Sequence, residues 1–410
     1  MTKAEVQFDF GPDVQSQVFE KLALAFTLVR SDNVTEADRD AARTLLEEAI
    51  ALDEERADTY YHVGLFYGND LNDVASMYLY LARFVELASP RHVGWAEVNE
   101  LLASRAWSTY IQNRVQPSSS PQLELAERYY LAAYDAILPT ELRSKLAEFE
   151  FMLGLIAIRQ RAPERALRYL RASAEHAPEL RRDALILASS VLVQANQAAD
   201  AVKLLDSLEL EEGFEQSSEQ LVSFTTAMAT AHSANGAHQT ALQYLQRAEQ
   251  ILNIQPGEIS RLLAPELARI HDTKASVYLA QGDYASAESE HRKALSLDAK
   301  PGYRNNLAWS IALDSKMRDP RLDEALSLSR EAVAAEPSAA YLYTLAEVLY
   351  RLERYDEAVE CIDDALLLEP EDSYLLSQRQ RFLDNRNGFS SKTGLQQLKT
   401  WTPPTYGHTL

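Results

Sequence analysis

The chain has 410 residues, of which 46% are hydrophobic and 25% charged, and its formal net charge is −21. An acidic surface repels the phosphate backbone of nucleic acids and acidic membrane surfaces, so the charge argues against both as partners. The single cysteine excludes an internal disulfide and a cysteine-based zinc site, and it suits a reducing compartment.

The N-terminal stretch MTKAEVQFDFGPD lacks the basic start and the apolar run of a signal peptide. The apolar runs Leu22–Val29 and Ala184–Val193 are too short to span a bilayer. These features predict a cytoplasmic protein without membrane insertion. Val6–Phe10 alternates like a short strand, and we expect it to cover the open end of the first helix pair, with a linear motif as the alternative.

Pairs of small residues spaced seven apart recur along the chain. The successive pairs that begin at Ala287, Ala325 and Ala358 are 38 and 33 residues apart. Seven residues make two helical turns, so both members lie on one face and let a neighbouring helix approach closely. A helix-period stretch with a small residue in its middle, such as Gly64 or Gly154, precedes each pair. The pattern predicts repeated helix pairs. The small-residue pairs are Ala42/Ala49, Ala75/Ala82, Ala126/Ala133, Ala166/Ser173, Ala241/Ala248, Ala287/Ala294, Ala325/Ala332 and Ala358/Ala365.

The stretch from Ala339 to Asp372 resembles a tetratricopeptide repeat, whose pattern W-x2-L-G-x2-Y…A-x3-F…P extends over about 34 residues. The matching residues are Leu342 at the Trp place, then Leu345, Ala346, Leu349, Tyr355, Ala358, Ile362, Ala365 and Pro370. The resemblance implies an all-α solenoid of stacked antiparallel helix pairs, wound as a right-handed superhelix around a concave groove. Stability in such an array comes from contacts between neighbouring repeats.

The repeats divide the sequence into five regions. We predict an N-terminal segment, irregular repeats, a regular repeat array, a capping helix and a mobile basic and aromatic tail, with boundaries at 1–12, 13–140, 141–372, 373–387 and 388–410. The nine repeat units are expected at 13–56, 57–90, 91–140, 141–180, 181–213, 218–255, 259–300, 301–338 and 339–372. The break QPSSSP at 116–121 is either a long turn or a hinge. The tail either docks on an acidic surface or is unstructured.

No motif for catalysis stands out. The chain has no P-loop, no Gly-x-Gly-x-x-Gly and no His-Glu-x-x-His, and its eight histidines lack metal-ligand spacing. Asp363 and Asp364 flank the apolar line of a helix, so we interpret them as solvated charge, and Cys361 as a packing residue. The sequence therefore predicts a protein that is not an enzyme and uses no cofactor or metal.

The resemblance also indicates where a partner would bind, since the family lines its groove with set positions of the first helix of each pair. These positions correspond to Phe151, Leu155, Ile158 and Leu185, with Arg159 and Arg182 at the edge, and to Asn305, Trp309, Tyr343, Glu347, Tyr350 and Arg351 in the last two units. Aromatic side chains beside arginine are typical of protein-binding hot spots. Packing between adjacent repeats is the alternative for each residue.

We therefore predict a non-catalytic scaffold or adaptor that binds a peptide or protein in the groove. The alternative is a ligand-responsive regulator, whose superhelix senses a peptide or small molecule and signals to a separate effector protein. The sequence leaves the oligomeric state open.

Overall fold

A computed structural model describes residues 13–30, 33–113, 116–137, 142–209, 218–253, 263–315 and 317–386. The residues in these ranges form nineteen α-helices and no strand. The predicted all-α solenoid of helix pairs is confirmed. Val6–Phe10 and the tail at 388–410 lie outside the described residues, so the predictions for both stay predictions.

The chain separates into two compact units, which we call the N-terminal and the C-terminal unit. The N-terminal unit comprises Met1–Thr109 and Glu124–Leu142, and the C-terminal unit comprises Tyr110–Leu123 and Arg143–Leu410. The predicted break at 116–121 thus groups with the C-terminal unit, and its role as a hinge stays a prediction. The first six helices are α1 (Val14–Val29), α2 (Glu36–Leu52), α3 (Ala57–Asn69), α4 (Val74–Leu87), α5 (Trp95–Gln112) and α6 (Pro121–Ile137).

The C-terminal unit contains six further helix pairs and one terminal helix. The pairs are α7 (Arg143–Arg159) with α8 (Pro163–His176), α9 (Pro178–Gln194) with α10 (Ala198–Glu209), α11 (Ser218–Ala234) with α12 (His238–Asn253), α13 (Ala264–Gln281) with α14 (Tyr284–Leu297), α15 (Pro301–Asp314) with α16 (Leu322–Ala335), and α17 (Ala339–Arg351) with α18 (Tyr355–Leu368). The terminal helix is α19 (Ser373–Arg386), at the position predicted for a cap.

The spaced small residues form the contact line within the helix pairs. Seven of the eight predicted pairs are fully buried at both positions, including Ala358 and Ala365. The exception is α4, where Ala75 is exposed and Phe84 is buried instead. The small residues of the preceding helix complete the contact, because a Cβ on Gly154 would lie 2.7 Å from Leu170 Cδ2. Helices that approach this closely leave no room for a larger side chain.

The turn within a helix pair uses one residue in the left-handed conformation. Gly236 and Gly282 have φ values of 79° and 76°, and Arg161 and Glu353 adopt 55° and 62° at the same place. These turns are closed by the same two hydrogen bonds. The left-handed residue donates its amide to the carbonyl three residues earlier, as Glu353 N does to Tyr350 O at 2.9 Å. The next residue donates its amide to the carbonyl five residues earlier, as Arg354 N does to Leu349 O at 2.9 Å. Glycine adopts a positive φ at little cost, so Gly236 and Gly282 are recognisable in the sequence as turn residues, whereas Arg161 and Glu353 carry no such signal.

Candidate functional site

The predicted groove residues fall into two separate groups. One group lies on α15 and α17 near the end of the array, and the other lies on α7 and α9. Both groups belong to the C-terminal unit.

The first group surrounds a buried carboxylate, Glu347. Arg351, one helical turn further along α17, donates from Nε to Glu347 Oε1 at 2.8 Å. Arg381 of α19 donates to the other carboxylate oxygen. Arg351 also donates to the carbonyl oxygen of Ser315 at 2.6 Å, across the interface with the preceding repeat. Glu347 is fully buried, so two guanidinium groups compensate one desolvated charge.

Aromatic rings pack around this ionic cluster. Trp309 and Tyr343 are 5.6 Å apart between ring centroids, and Tyr343 meets Tyr374 edge to face at 5.4 Å. The phenol oxygens of Tyr343 and Tyr374 form a hydrogen bond of 2.8 Å. Burial raises the pKa of Tyr343 well above its ordinary value, so the phenol stays neutral. These contacts fasten α19 to α17.

The structure corrects the expectation that these side chains stand open in a groove. Trp309, Tyr343 and Glu347 have no exposed surface, and Asn305 and Arg351 keep 2% and 8%. The eight residues 342–349 are all buried, while Tyr350 is half-buried and stacks on Phe382 of α19. Packing, the alternative left open for each residue, accounts for these positions. Partner contact at them stays a prediction that requires the end of the array to rearrange.

The second group is more accessible. Phe151, Ile158, Arg159 and Arg182 are half-buried, and Leu155 and Leu185 are buried. Phe151 and Ile158 of α7 pack against a core cluster that contains Leu185. The fold therefore brings together the apolar residues of α7 and α9 that the resemblance singled out. No carboxylate of the described residues pairs with Arg159.

A polar cluster between α13, α14 and α15 escaped sequence reasoning. Asn306 donates to Asp272 at 2.8 Å, His291 Nε2 lies 3.4 Å from the same carboxylate oxygen, and His291 Nδ1 hydrogen-bonds Ser310 at 2.7 Å. Burial raises the pKa of Asp272 to about 6, and burial lowers the pKa of His291 to about 3. Asp272 and Asn306 are 34 residues apart, one repeat length, and that spacing is the signal that could have paired them.

The residues considered for catalysis have structural partners. Asp363 forms an ion pair with Arg379, and Cys361 is half-buried. Burial, with Asp364 and Glu357 nearby, raises the pKa of the Cys361 thiol to about 11, which disfavours the reactive thiolate. Within the described ranges, no group of three or more His, Cys, Asp and Glu side chains could hold a metal ion. None of the described helices has the length and apolar character needed to cross a bilayer.

Comparison with family models decides the repeat type. Two models described as tetratricopeptide repeat match residues 268–301 and 339–372. The chain contains tetratricopeptide repeats at these two places. Repeats of this kind serve as protein-interaction scaffolds, and that general role is the one that the family supports. No curated protein matches the sequence of this repeat protein.

Three solved structures are similar to this chain over 70% or more of its length. A Rap protein complexed with competence and sporulation factor has 17% identity and a TM-score of 0.46, over 88% of this chain and 99% of that one. A tetratricopeptide repeat protein from Parabacteroides merdae has 14% identity and a TM-score of 0.45, over 70% and 98%. Yeast Tom70 has 12% identity and a TM-score of 0.41, over 94% and 92%.

Proposed function

We propose that this repeat protein binds a peptide or protein segment along α7 and α9 of the C-terminal unit, in the groove lined by the first helices of its pairs. The partner segment carries apolar residues with at least one carboxylate beside them. Phe151, Ile158 and Arg159 are the residues that we assign to direct contact.

The observation that carries this proposal is Arg159. The chain has 61 acidic residues and 40 Lys or Arg, so cations are the scarcer charge. Most arginines of the last repeats form ion pairs, for example Arg292 with Glu324, whereas Arg159 lies half-buried without a carboxylate partner among the described residues. An arginine next to half-buried Phe and Ile side chains combines the charge and the apolar surface that binding hot spots use. Arg182 of α9 is half-buried as well and adds a second guanidinium to the same region.

A selection from a phage-displayed random peptide library tests the site. Peptides selected on the full chain are titrated by calorimetry against the wild type, Arg159→Glu and Arg171→Glu. Arg171 is exposed on α8 and has no carboxylate contact in the described part of the chain, so it matches the charge change without touching the site. We expect Arg159→Glu to weaken binding about tenfold or more through charge reversal, and Arg171→Glu to leave it unchanged. Equal affinities for all three proteins would refute the site.

The second candidate, a ligand-responsive regulator acting on a separate effector protein, gains support from one contact. Arg161 in the α7–α8 turn forms an ion pair with Glu369, which follows α18 at the far end of the C-terminal unit. A ligand that breaks or forms this contact would change the distance between the two ends of the array. The cytoplasmic location, the exclusion of nucleic acid and the lack of enzymatic activity stay predictions.

A further inference from the structure

Two distant turns of the C-terminal unit meet through charged side chains. Arg161, between α7 and α8, lies 3.0 Å from Glu369 and 3.2 Å from Asp372, both in the connection between α18 and α19. Arg161 and Asp372 are 211 residues apart in sequence. Arg161 lies in the turn of the first helix pair of the unit, and Glu369 and Asp372 directly follow the last pair. The first and the last helix pair of the unit are therefore joined by this contact.

The backbone fixes both sides of this contact. Arg161 has a φ of 55°, and its turn is closed by hydrogen bonds from Arg161 N to Ile158 O at 3.0 Å and from Ala162 N to Ala157 O at 2.9 Å. On the other side, the Asp372 carboxylate accepts the amides of Tyr374 at 2.9 Å and Leu375 at 3.1 Å at the start of α19. The direction of each charged side chain therefore follows from its turn.

A third segment joins the same point. Ser118, in the predicted break at 116–121, donates its hydroxyl to Glu369 at 2.9 Å. Glu369 thus contacts the segment before α6 and the turn after α7 at once. The polar junction ties three parts of the C-terminal unit together, although they are far apart in the chain.

The contacts recorded between these turns are polar. Among the described residues, three apolar clusters follow one another through α7–α12, α11–α13 and α13–α19, and none of the three contains side chains from both ends. The side chain of Arg161 remains 43% exposed, and those of Glu369 and Asp372 remain 13% and 25% exposed. Partly exposed ion pairs contribute little free energy each, so these ion pairs by themselves hold the two turns together weakly. A junction of this kind can open without unfolding the repeats on either side.

We propose that Arg161, Glu369 and Asp372 form a latch that closes the C-terminal unit and controls the access of a partner to the groove. The control of access rests on the proposed function, whereas the closing of the unit does not. Opening the latch moves the first repeats, which carry Phe151 and Arg159, relative to the last repeats. The latch weakens as ionic strength rises, because salt screens ion pairs that face solvent.

Distances between two spin labels on the full chain test the latch directly. The labels replace Glu164 and Glu371, which are exposed beside the two turns, in a Cys361→Ser background. We expect one short distance for the wild-type latch, longer and broader distances for Arg161→Glu, and no change for the exposed control Arg171→Glu. The charge swap Arg161→Glu with Glu369→Arg should restore the short distance, which a merely misfolded variant would not do. An unchanged distance in Arg161→Glu would overturn the latch.

Binding kinetics test the control of access. The selected peptides should associate with Arg161→Glu about fivefold faster than with the wild type, the factor that corresponds to one partly exposed ion pair. If the spin labels are further apart in Arg161→Glu but the peptides associate with it no faster than with the wild type, the latch does not control access to the groove. Peptides insensitive to Arg159→Glu would refute the proposed binding site, while the label distances decide the latch independently.

Discussion

Arg381 of α19 donates to Glu347 of α17, and both side chains are buried. The terminal helix is therefore held by an ionic contact as well as by apolar packing. Glu347 keeps a second partner, Arg351, whose Nε lies 2.8 Å away. This unequal arrangement, one carboxylate between two guanidinium groups, makes the effects of removing each member predictable.

Replacing Glu347 should cost more stability than replacing Arg381. Glu347→Met leaves two buried guanidinium groups without their carboxylate, whereas Arg381→Met leaves Glu347 paired with Arg351. We expect the unfolding free energy to fall by about 3 kcal/mol for Arg381→Met and by about 5 kcal/mol for Glu347→Met. Urea unfolding followed by circular dichroism measures both. Equal losses would show that Arg351 does not compensate Glu347.

Substitutions of Trp309 and Tyr343 should lower the free energy of unfolding rather than remove a direct contact with a partner. Both are fully buried, so Trp309→Ala is expected to cost about 3–5 kcal/mol in unfolding free energy. Tyr343→Phe keeps the ring, removes the hydrogen bond to Tyr374 and should cost about 1 kcal/mol. Thermal unfolding separates the two. A stable Trp309→Ala protein that loses selected peptides would instead support direct contact.

Two glycines on α3 should respond differently to the same substitution. A Cβ on Gly64 would lie 2.8 Å from both Cγ and Cδ2 of Leu81 and 3.3 Å from its backbone nitrogen, whereas a Cβ on Gly68 would meet the flexible thioether end of Met77. Both alanines gain similar helix propensity, about 1 kcal/mol. Gly64→Ala should nevertheless be destabilising, by about 1–2 kcal/mol net of that gain, because Leu81 cannot withdraw freely. A higher unfolding midpoint for Gly64→Ala than for Gly68→Ala would contradict this packing argument.

The Asp272–His291 pair should give two variants with opposite pH dependence. The raised pKa of Asp272 contributes stability that is present below pH 3.8 and is lost as the pH rises through about 6. The lowered pKa of His291 contributes stability that is present above pH 6.5 and is lost as the pH falls towards 3. The two contributions oppose each other between pH 4 and 6. On acidification, Asp272→Asn should lose stability faster than the wild type and His291→Asn more slowly, by up to about 1.4 kcal/mol per pH unit.

Urea midpoints at several pH values between 4 and 6.5 measure these slopes. The neighbouring Glu290, His271 and Lys293 are the same residues in all three proteins, so differences from the wild type isolate the pair. For Glu290, burial opposes ionisation, but hydrogen bonds from His271 and Lys293 outweigh it and lower its pKa to about 2. Parallel curves for the three proteins would mean that Asp272 and His291 do not titrate as their burial implies.

The helix pairs could be predicted from the sequence because their contacts are local. Ala358 and Ala365 are seven residues apart and face the preceding helix of the same repeat, so spacing alone identifies their role. Gly154 is recognisable for the same reason, as a small residue in the middle of an apolar helix. In α4 the rule fails, because Leu81 and Phe84 supply the buried contacts that the alanine spacing assigned to Ala75 and Ala82.

The site could not be predicted to the same degree. Groove positions carried over from the family assume an open face, but the exposure of Tyr343 depends on what packs beside the last repeat. Tyr374 and Arg381 belong to a helix outside the repeat pattern, and their contacts with α17 carry no periodic signal. The contact between Arg161 and Glu369 depends on the curvature summed over six helix pairs, which no single repeat encodes.

The Asp372 carboxylate links the amides at the start of α19 to the turn that contains Arg161. It accepts the amides of Tyr374 and Leu375 and also pairs with Arg161, so one group serves a helix start and a long-range contact. A change at Arg161 therefore alters the electrostatic environment of two amides more than 200 residues away. Hydrogen exchange at the first turn of α19 becomes a local reporter for the state of a turn at the opposite end of the C-terminal unit.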